Sequence, residues 1–103
     1  MIFFVDIDHT ICYYGDNHSN IPDYNKAIPY SERISKINDL YDNGNEIVYW
    51  TARGSKTGRK WFHTTLQQLQ QWGCKFHELR MGKPVYDLFI DDKNINSERY
   101  FNM

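Results

Sequence analysis

The chain has 103 residues, enough for one hydrophobic core and too few for two, so we expect a single domain over residues 1–103. Hydrophobic residues make up 41% of the chain and aromatic residues 17%, a composition that excludes a disordered protein. The formal net charge of −1 excludes a broad positive field, so we do not expect nucleic acid as a partner.

The chain opens with residues 1–7, which are rich in β-branched and aromatic types and predict a parallel strand buried on both faces. Acidic residues interrupt this apolar run before it reaches the length of a signal peptide or a membrane span. Two cysteines without a partner motif suit a reducing compartment. We therefore expect a cytoplasmic protein with no membrane partner.

A strand and a helix alternate along the rest of the chain. Residues 9–29 are dense in turn formers and predict a loop or hairpin. Helical spacing then follows, with Ser31 placed to cap the start of the helix and Gly44 placed to end it. Residues 46–50 predict a second strand, which stops at Thr51, and residues 61–72 predict a second helix.

Two further strands are predicted near the end of the chain, at residues 75–79 and 86–90. Alternating strands and helices indicate an α/β fold, a Rossmann-like parallel sheet of about four strands with helices on both faces in three layers. Residues 80–85 are a short connection for a parallel crossover, which usually needs a dozen or more residues. We expect that connection to be extended and to lack a helix.

Polar side chains follow three of these predicted strands. Asp6 and Asp8 come after the first, Thr51 after the second, and Asp91 and Asp92 after the fourth. Because ligands of open parallel sheets bind at the carboxyl ends of the strands, these groups should converge. Four carboxylates in one crevice repel one another unless a cation neutralises them, and oxygen ligands of this kind suit Mg²⁺.

A bound magnesium ion usually takes substrate phosphate as a ligand, and a hydroxyl and a lysine near it can then bind the phosphate oxygens. Thr51 and Lys83 are suited to these two tasks. The candidates for further substrate contact are His9, Thr10, Arg53 and Lys56.

Four sequence motifs occur here in a defined order: Asp6-x-Asp8-x-Thr10, then Thr51, then Lys83, then Asp91-Asp92. In this order and over its whole length the chain resembles the haloacid dehalogenase superfamily of phosphohydrolases. The resemblance implies that Asp6 attacks phosphorus to form an aspartyl-phosphate. It also implies that Asp8 protonates the leaving alcohol and then deprotonates water. Thr51 and Lys83 would bind the transferring phosphoryl group.

The same resemblance implies which atoms hold the metal. These are the Asp6 carboxylate, the backbone carbonyl of Asp8, and the acids of the fourth motif, Asp91 and Asp92. Two features depart from the family pattern: position 9 is His where Gly is commoner, and the helix before the fourth motif is missing.

The resemblance is to small members that lack a cap domain and are associated with bacterial capsule or surface-polysaccharide biosynthesis. It implies an open site, a homo-oligomer (dimer or tetramer), and a small phosphorylated metabolite such as a sugar phosphate as substrate. Alternatives remain: transfer of the phosphoryl group to an acceptor other than water, or a phosphate-binding, regulatory or scaffold module without catalysis. Response-regulator receivers use similar residues, but their acidic pair comes first in the chain, whereas here it comes last.

Overall fold

A computed structural model of the protein describes residues 1–15 and 23–103. Its central element is a three-stranded parallel sheet in the order β1-β4-β5. The strands of this sheet are β1 (Ile2–Val5), β4 (Glu46–Trp50) and β5 (Glu78–Arg80). The helices are α1 (Ser31–Asp42), α2 (Phe62–Gln71) and α3 (Ser97–Phe101). A short antiparallel pair, β2 (Cys12–Tyr13) with β3 (Ile28–Pro29), and a 3₁₀ helix (Tyr24–Lys26) complete the described elements.

Local sequence explains most of these elements. Helix α1 buries Ile34 and Ile37, which lie on one face at helical spacing. The chain leaves this helix at Gly44, whose φ of 90° is accessible to glycine at little cost. Ser31 is the first helical residue rather than the cap, a position that Tyr30 occupies without a side-chain hydrogen bond.

One face of the sheet carries the hydrophobic core. The register aligns Phe3 with Ile47, and Val5 with Tyr49 and Leu79, so these side chains share a face. They pack with residues from all three helices, which are Ile34, Ile37, Leu69, Tyr100 and Phe101. The helices therefore cover the same side of the sheet.

The opposite side, here called the open face, contains Ile2, Phe4, Trp50 and Arg80, together with Val48, which is buried. Ile2 and Phe4 are exposed, and no helix among residues 1–15 and 23–103 packs over them. The expected three layers, with helices on both faces, are thus not confirmed. The chain shows an α/β fold with its helices on one side of the sheet.

The predicted elements differ from the observed ones mainly near the end of the chain. The first strand is shorter than residues 1–7, and the third begins at Glu78 rather than at residue 75. Residues 86–90 do not form a strand. The connection from Arg80 has no helix, as expected, and is too short to return the chain to the other end of the sheet.

The predicted excursion over residues 9–29 contains the antiparallel pair, as a hairpin would, and its middle, residues 16–22, lies outside the described residues. None of the described helices is long and apolar enough to cross a membrane.

Candidate active site

An open cleft of about 290 Å³ lies at the carboxyl edge of the sheet. Seven of the residues singled out from the sequence line or border it, six by lining it and Thr10 through its bond to the lining residue Asp6. The six are Asp6, Asp8, His9, Thr51, Arg53 and Lys83. Strands β1 and β4 are parallel neighbours, and residues that follow them therefore meet at one edge.

Asp6 sits between a hydroxyl and an ammonium group. Its carboxylate accepts a hydrogen bond from Thr10 Oγ1 at 3.1 Å, and Lys83 Nζ lies 3.2 Å from its Oδ1. Partial burial acts to lower the pKa of Lys83, but the charge of Asp6 and a hydrogen bond with Tyr86 outweigh it and raise that pKa. Lys83 is therefore positively charged at neutral pH and orients the Asp6 carboxylate toward the cleft.

Asp8 is held by a buried arginine. Arg53 donates from Nε to Asp8 Oδ2 at 3.0 Å and from Nη2 to Oδ1 at 2.9 Å, a two-pronged contact that fixes both oxygens. The Tyr14 hydroxyl donates to the same Oδ1 at 2.6 Å. Burial acts to raise the pKa of Asp8, but the hydrogen bonds and charge of Arg53 outweigh it, and the pKa is lowered. Asp8 is therefore ionised at neutral pH.

The Arg53 side chain is itself held in place by helix α2. Its side chain is fully buried, and Nη1 donates to Thr65 Oγ1 at 3.1 Å and to Gln68 Oε1 at 2.6 Å, both on α2. Its guanidinium also lies 4.8 Å from the centre of the Tyr24 ring. We expected Arg53 to contact substrate; although it borders the cleft, its donors are directed to Asp8 and α2. The structure gives it the role of a positioning residue for Asp8.

Thr51 connects the second strand to the rest of the site. It is buried, and its hydroxyl accepts a hydrogen bond from the Arg53 amide at 3.1 Å. Its carbonyl accepts a hydrogen bond from the Lys83 amide at 3.1 Å, while its own amide donates to the Arg80 carbonyl. These backbone bonds place Lys83 over the end of β4 although it lies 32 positions further along the chain.

The turn after Asp8 explains the histidine that departs from the family pattern. His9 has a φ of 63°, in the left-handed region where glycine is favoured, and its amide donates to the Cys12 carbonyl. Its exposed ring lies beside Tyr14, with 5.8 Å between ring centres. The backbone thus keeps the conformation that glycine would adopt, and the His9 side chain lines the cleft.

Three of the expected site residues lie elsewhere. Lys56, Asp91 and Asp92 are exposed and do not line the cleft. The Asp91 carboxylate instead accepts a hydrogen bond from the Lys93 amide at 3.0 Å. The cause is the missing fourth strand, which would have carried the acidic pair to the sheet edge.

These positions decide whether a single chain fits the expected magnesium ion. Asp6 presents a carboxylate to the cleft, but the Asp8 carboxylate is engaged by Arg53 and the fourth-motif acids are distant. Over the described ranges no cluster of three or more His, Cys, Asp or Glu could hold a metal ion. Within the described part of one chain, the four acids expected to hold magnesium are therefore not assembled.

Comparison with known proteins gives a structural relative. No protein-family model matches the sequence, and no curated protein matches it. The fold is similar to the crystal structure of a target protein from Vibrio cholerae, with a TM-score of 0.78 and 25% sequence identity. The match covers 99% of this chain and 88% of that chain. The arrangement of helices and strands is therefore one that a crystallised protein also adopts.

Proposed function

We propose that this protein is a phosphatase of the haloacid dehalogenase type, which hydrolyses a phosphate monoester of a small cytoplasmic metabolite. One observation carries the proposal: the Asp6 carboxylate is held between Thr10 and Lys83 at the floor of an open cleft, beside Asp8 and Thr51. A carboxylate fixed beside a cation is suited to attack a phosphoryl group whose charge the cation offsets.

In the proposed reaction an Asp6 oxygen attacks phosphorus, the bond from phosphorus to the ester oxygen breaks, and an aspartyl-phosphate forms. The leaving alcohol takes a proton from Asp8, so this step requires the protonated form of Asp8, which is the minor form at neutral pH because Arg53 favours the ionised one. In the second step Asp8, again ionised, removes a proton from water as the water attacks phosphorus, and phosphate leaves Asp6. The contact with Arg53 supports the second step, because it favours the ionised form of Asp8 and fixes its two oxygens.

The resemblance implies Mg²⁺ as cofactor, which would neutralise charge on the phosphoryl group. Because the acids expected to hold it do not assemble in one chain, no step above is assigned to the metal. The cleft is open, with no cap domain among residues 1–15 and 23–103, and is compatible with a sugar phosphate. The proposal includes a role in surface-polysaccharide biosynthesis.

The test is a screen of phosphorylated metabolites with Mg²⁺, in which native protein is compared with Asp6→Asn and Asp8→Asn. Asparagine keeps the shape of each side chain, but it removes the nucleophile at position 6 and the proton carrier at position 8. Asp6→Asn should lower turnover by at least about 10³-fold, the scale on which loss of a covalent nucleophile acts. Circular dichroism and thermal melting of each variant control for folding.

Three results would change the proposal. Full turnover by Asp6→Asn would remove Asp6 as nucleophile. Consumption of ester without release of free phosphate, in the presence of an alcohol acceptor, would indicate phosphoryl transfer. Absence of turnover with every ester, together with binding of inorganic phosphate, would indicate a non-catalytic phosphate-binding module.

A further inference from the structure

Residues 84–95, here called the arm, expose an unusual amount of apolar surface. Five consecutive or nearly consecutive large side chains are exposed in it, namely Val85, Tyr86, Leu88, Phe89 and Ile90. Leu88 is 75% and Ile90 88% exposed. The same segment has the composition of a buried strand, and the acidic pair Asp91-Asp92 follows it directly. A cluster of exposed apolar side chains of this kind indicates a binding surface.

The sheet has an unpaired strand edge that could accept the arm. Strand β1 pairs with β4 on one side, and along its other side no strand of the described chain pairs with it. Met1, Ile2 and Phe4 are exposed there. A free edge with apolar neighbours is a template for a further strand, and β1 is also the strand that leads to Asp6.

The arm of the same chain can fill this edge as a parallel strand while Lys83 keeps its contacts only if residues 83–87 are almost fully extended. To bring Asp91 level with Asp6, the strand would have to start with Asp87 level with Ile2. Along the strand direction, that point lies about 13 Å from the carboxyl edge of the sheet. Across the sheet, it lies two strand spacings, about 10 Å, from Thr51. The direct separation from Thr51 is therefore about 16 Å. The four steps from Lys83 to Asp87 span at most about 14 Å when extended.

We propose that two copies of this chain exchange their arms, so that residues 86–90 of one copy pair in parallel with the free edge of β1 in the other. The part of this inference that concerns the active site rests on the proposed function. In this arrangement Asp91 and Asp92 of the partner subunit come to the carboxyl edge beside Asp6. The acids that a single chain keeps apart then form one oxygen-rich site for a divalent cation, shared between two chains.

The side-chain pattern fits that register. With Asp91 level with Asp6, the arm's Leu88 and Ile90 fall on the face that holds Phe3 and Val5, the face of the hydrophobic core. Phe89 falls beside Phe4 on the open face. The two most exposed apolar residues of the arm would thus extend the core of the other copy.

The surface involved is sufficient for a stable dimer. The exposed apolar side chains of the arm and of β1, at roughly 100 Å² each, amount to about 800 Å² per copy. Two copies would bury about 1,600 Å², the size of a typical specific interface.

A cross-linking experiment tests the exchange without reference to activity. The double variant Phe4→Cys/Phe89→Cys places two thiols on directly paired residues, whose Cα separation of about 5 Å suits a disulfide. Arm exchange predicts a covalent dimer on a non-reducing gel for the double variant, and monomers for each single variant.

Three other outcomes would overturn the exchange. A disulfide within one chain would show that the chain fills its own edge. Dimers of Phe4→Cys alone would show that two β1 edges pair with each other, and absence of any cross-link would show that the segments do not meet. Sedimentation supplies a second measurement: native protein and Ile95→Asp should be dimers, and Ile90→Asp a folded monomer. A native protein that sediments as a monomer would also contradict the proposal.

Complementation then tests the shared site. Asp6→Asn and Asp91→Asn, each nearly inactive alone, are co-expressed with different tags and the mixed dimer is purified. Exchange leaves one site with both native acids, so the mixed dimer should regain about half the activity of the native dimer. If each chain supplied both acids to its own site, the mixed dimer would be as inactive as its parents.

The two experiments separate the two proposals. Interchain cross-links in a protein that hydrolyses no ester would leave the exchange standing and remove the phosphatase function. Turnover by the native protein, combined with an intrachain disulfide and no complementation, would leave the function standing and remove the exchange.

Discussion

Replacing Arg53 with methionine should destabilise the protein more than a change at any exposed basic residue. Arg53 is fully buried, and its removal leaves the ionised Asp8, which is 19% exposed, without its charge partner. Breaking a buried pair from one side costs about 3–5 kcal/mol in the free energy of unfolding. For a domain of this size the melting temperature should fall by at least about 12 °C.

The assay is urea unfolding at pH 7, followed by tryptophan fluorescence, for a double-mutant cycle of Arg53→Met and Asp8→Asn. Because each substitution alone breaks the same contact, the double variant should be more stable than the sum of the single effects predicts, by at least about 1.5 kcal/mol. Effects that add to within about 0.5 kcal/mol would refute the reasoning, since they would mean that the two side chains do not stabilise each other. The exposed Lys56→Met serves as the matched control.

The pH dependence of that cycle has a defined sign. The folded-state pKa of Asp8 lies below its ordinary value, so its pairing with Arg53 stabilises the folded state fully above about pH 4, the unfolded pKa. That contribution is lost as the pH falls through the folded pKa. The difference in stability between native protein and Arg53→Met should therefore shrink in acid.

Three further predictions concern the site and the core. His9→Gly should leave the free energy of unfolding within about 1 kcal/mol of the native value, because glycine accepts the positive φ. His9→Val should lower the free energy of unfolding in urea by about 1–2 kcal/mol. Equal stability of the two variants would contradict the left-handed turn. Burial raises the pKa of Cys12 to about 12 and that of Cys74 to about 11. At pH 8 both thiols should therefore react with a thiol reagent at least about 100-fold more slowly in the native protein than in the unfolded protein. If Asp8 protonates the leaving group, kcat/KM for an alkyl phosphate should rise by up to about tenfold per pH unit as the pH falls from 8 to 6. The rise should be smaller for p-nitrophenyl phosphate, whose leaving group needs no proton. Equal pH dependence for the two esters would count against that role.

Local patterns in the sequence were sufficient for the elements that neighbours in the chain determine. The strand at residues 46–50 and the helix that begins at Ser31 are confirmed, because periodicity and the glycine at position 44 act within a few residues. The parallel sheet also follows from alternation of strands and helices. From that sheet the meeting of Asp6, Asp8 and Thr51 at one edge could be predicted, whereas Lys83 was assigned to the site by its suitability for phosphate and by the resemblance.

Features that depend on distant residues could not be predicted in this way. A strand exists only if another strand pairs with it, and the apolar residues 86–90 have no such partner within the described chain. Arg53 was expected to contact substrate. Its actual position depends on Thr65 and Gln68, whose hydroxyl and amide are turned toward it by the packing of α2.

The proposed function depends above all on phosphorylation of Asp6 during turnover. Acid quenching of the native protein during turnover of a hydrolysed ester, followed by digestion and mass spectrometry, should find a hydroxylamine-labile phosphate on the peptide that contains Asp6. The same peptide from Asp6→Asn should carry none. Turnover in which no phosphate is found on that peptide, or in which the phosphate is found on a different residue, would contradict the claim.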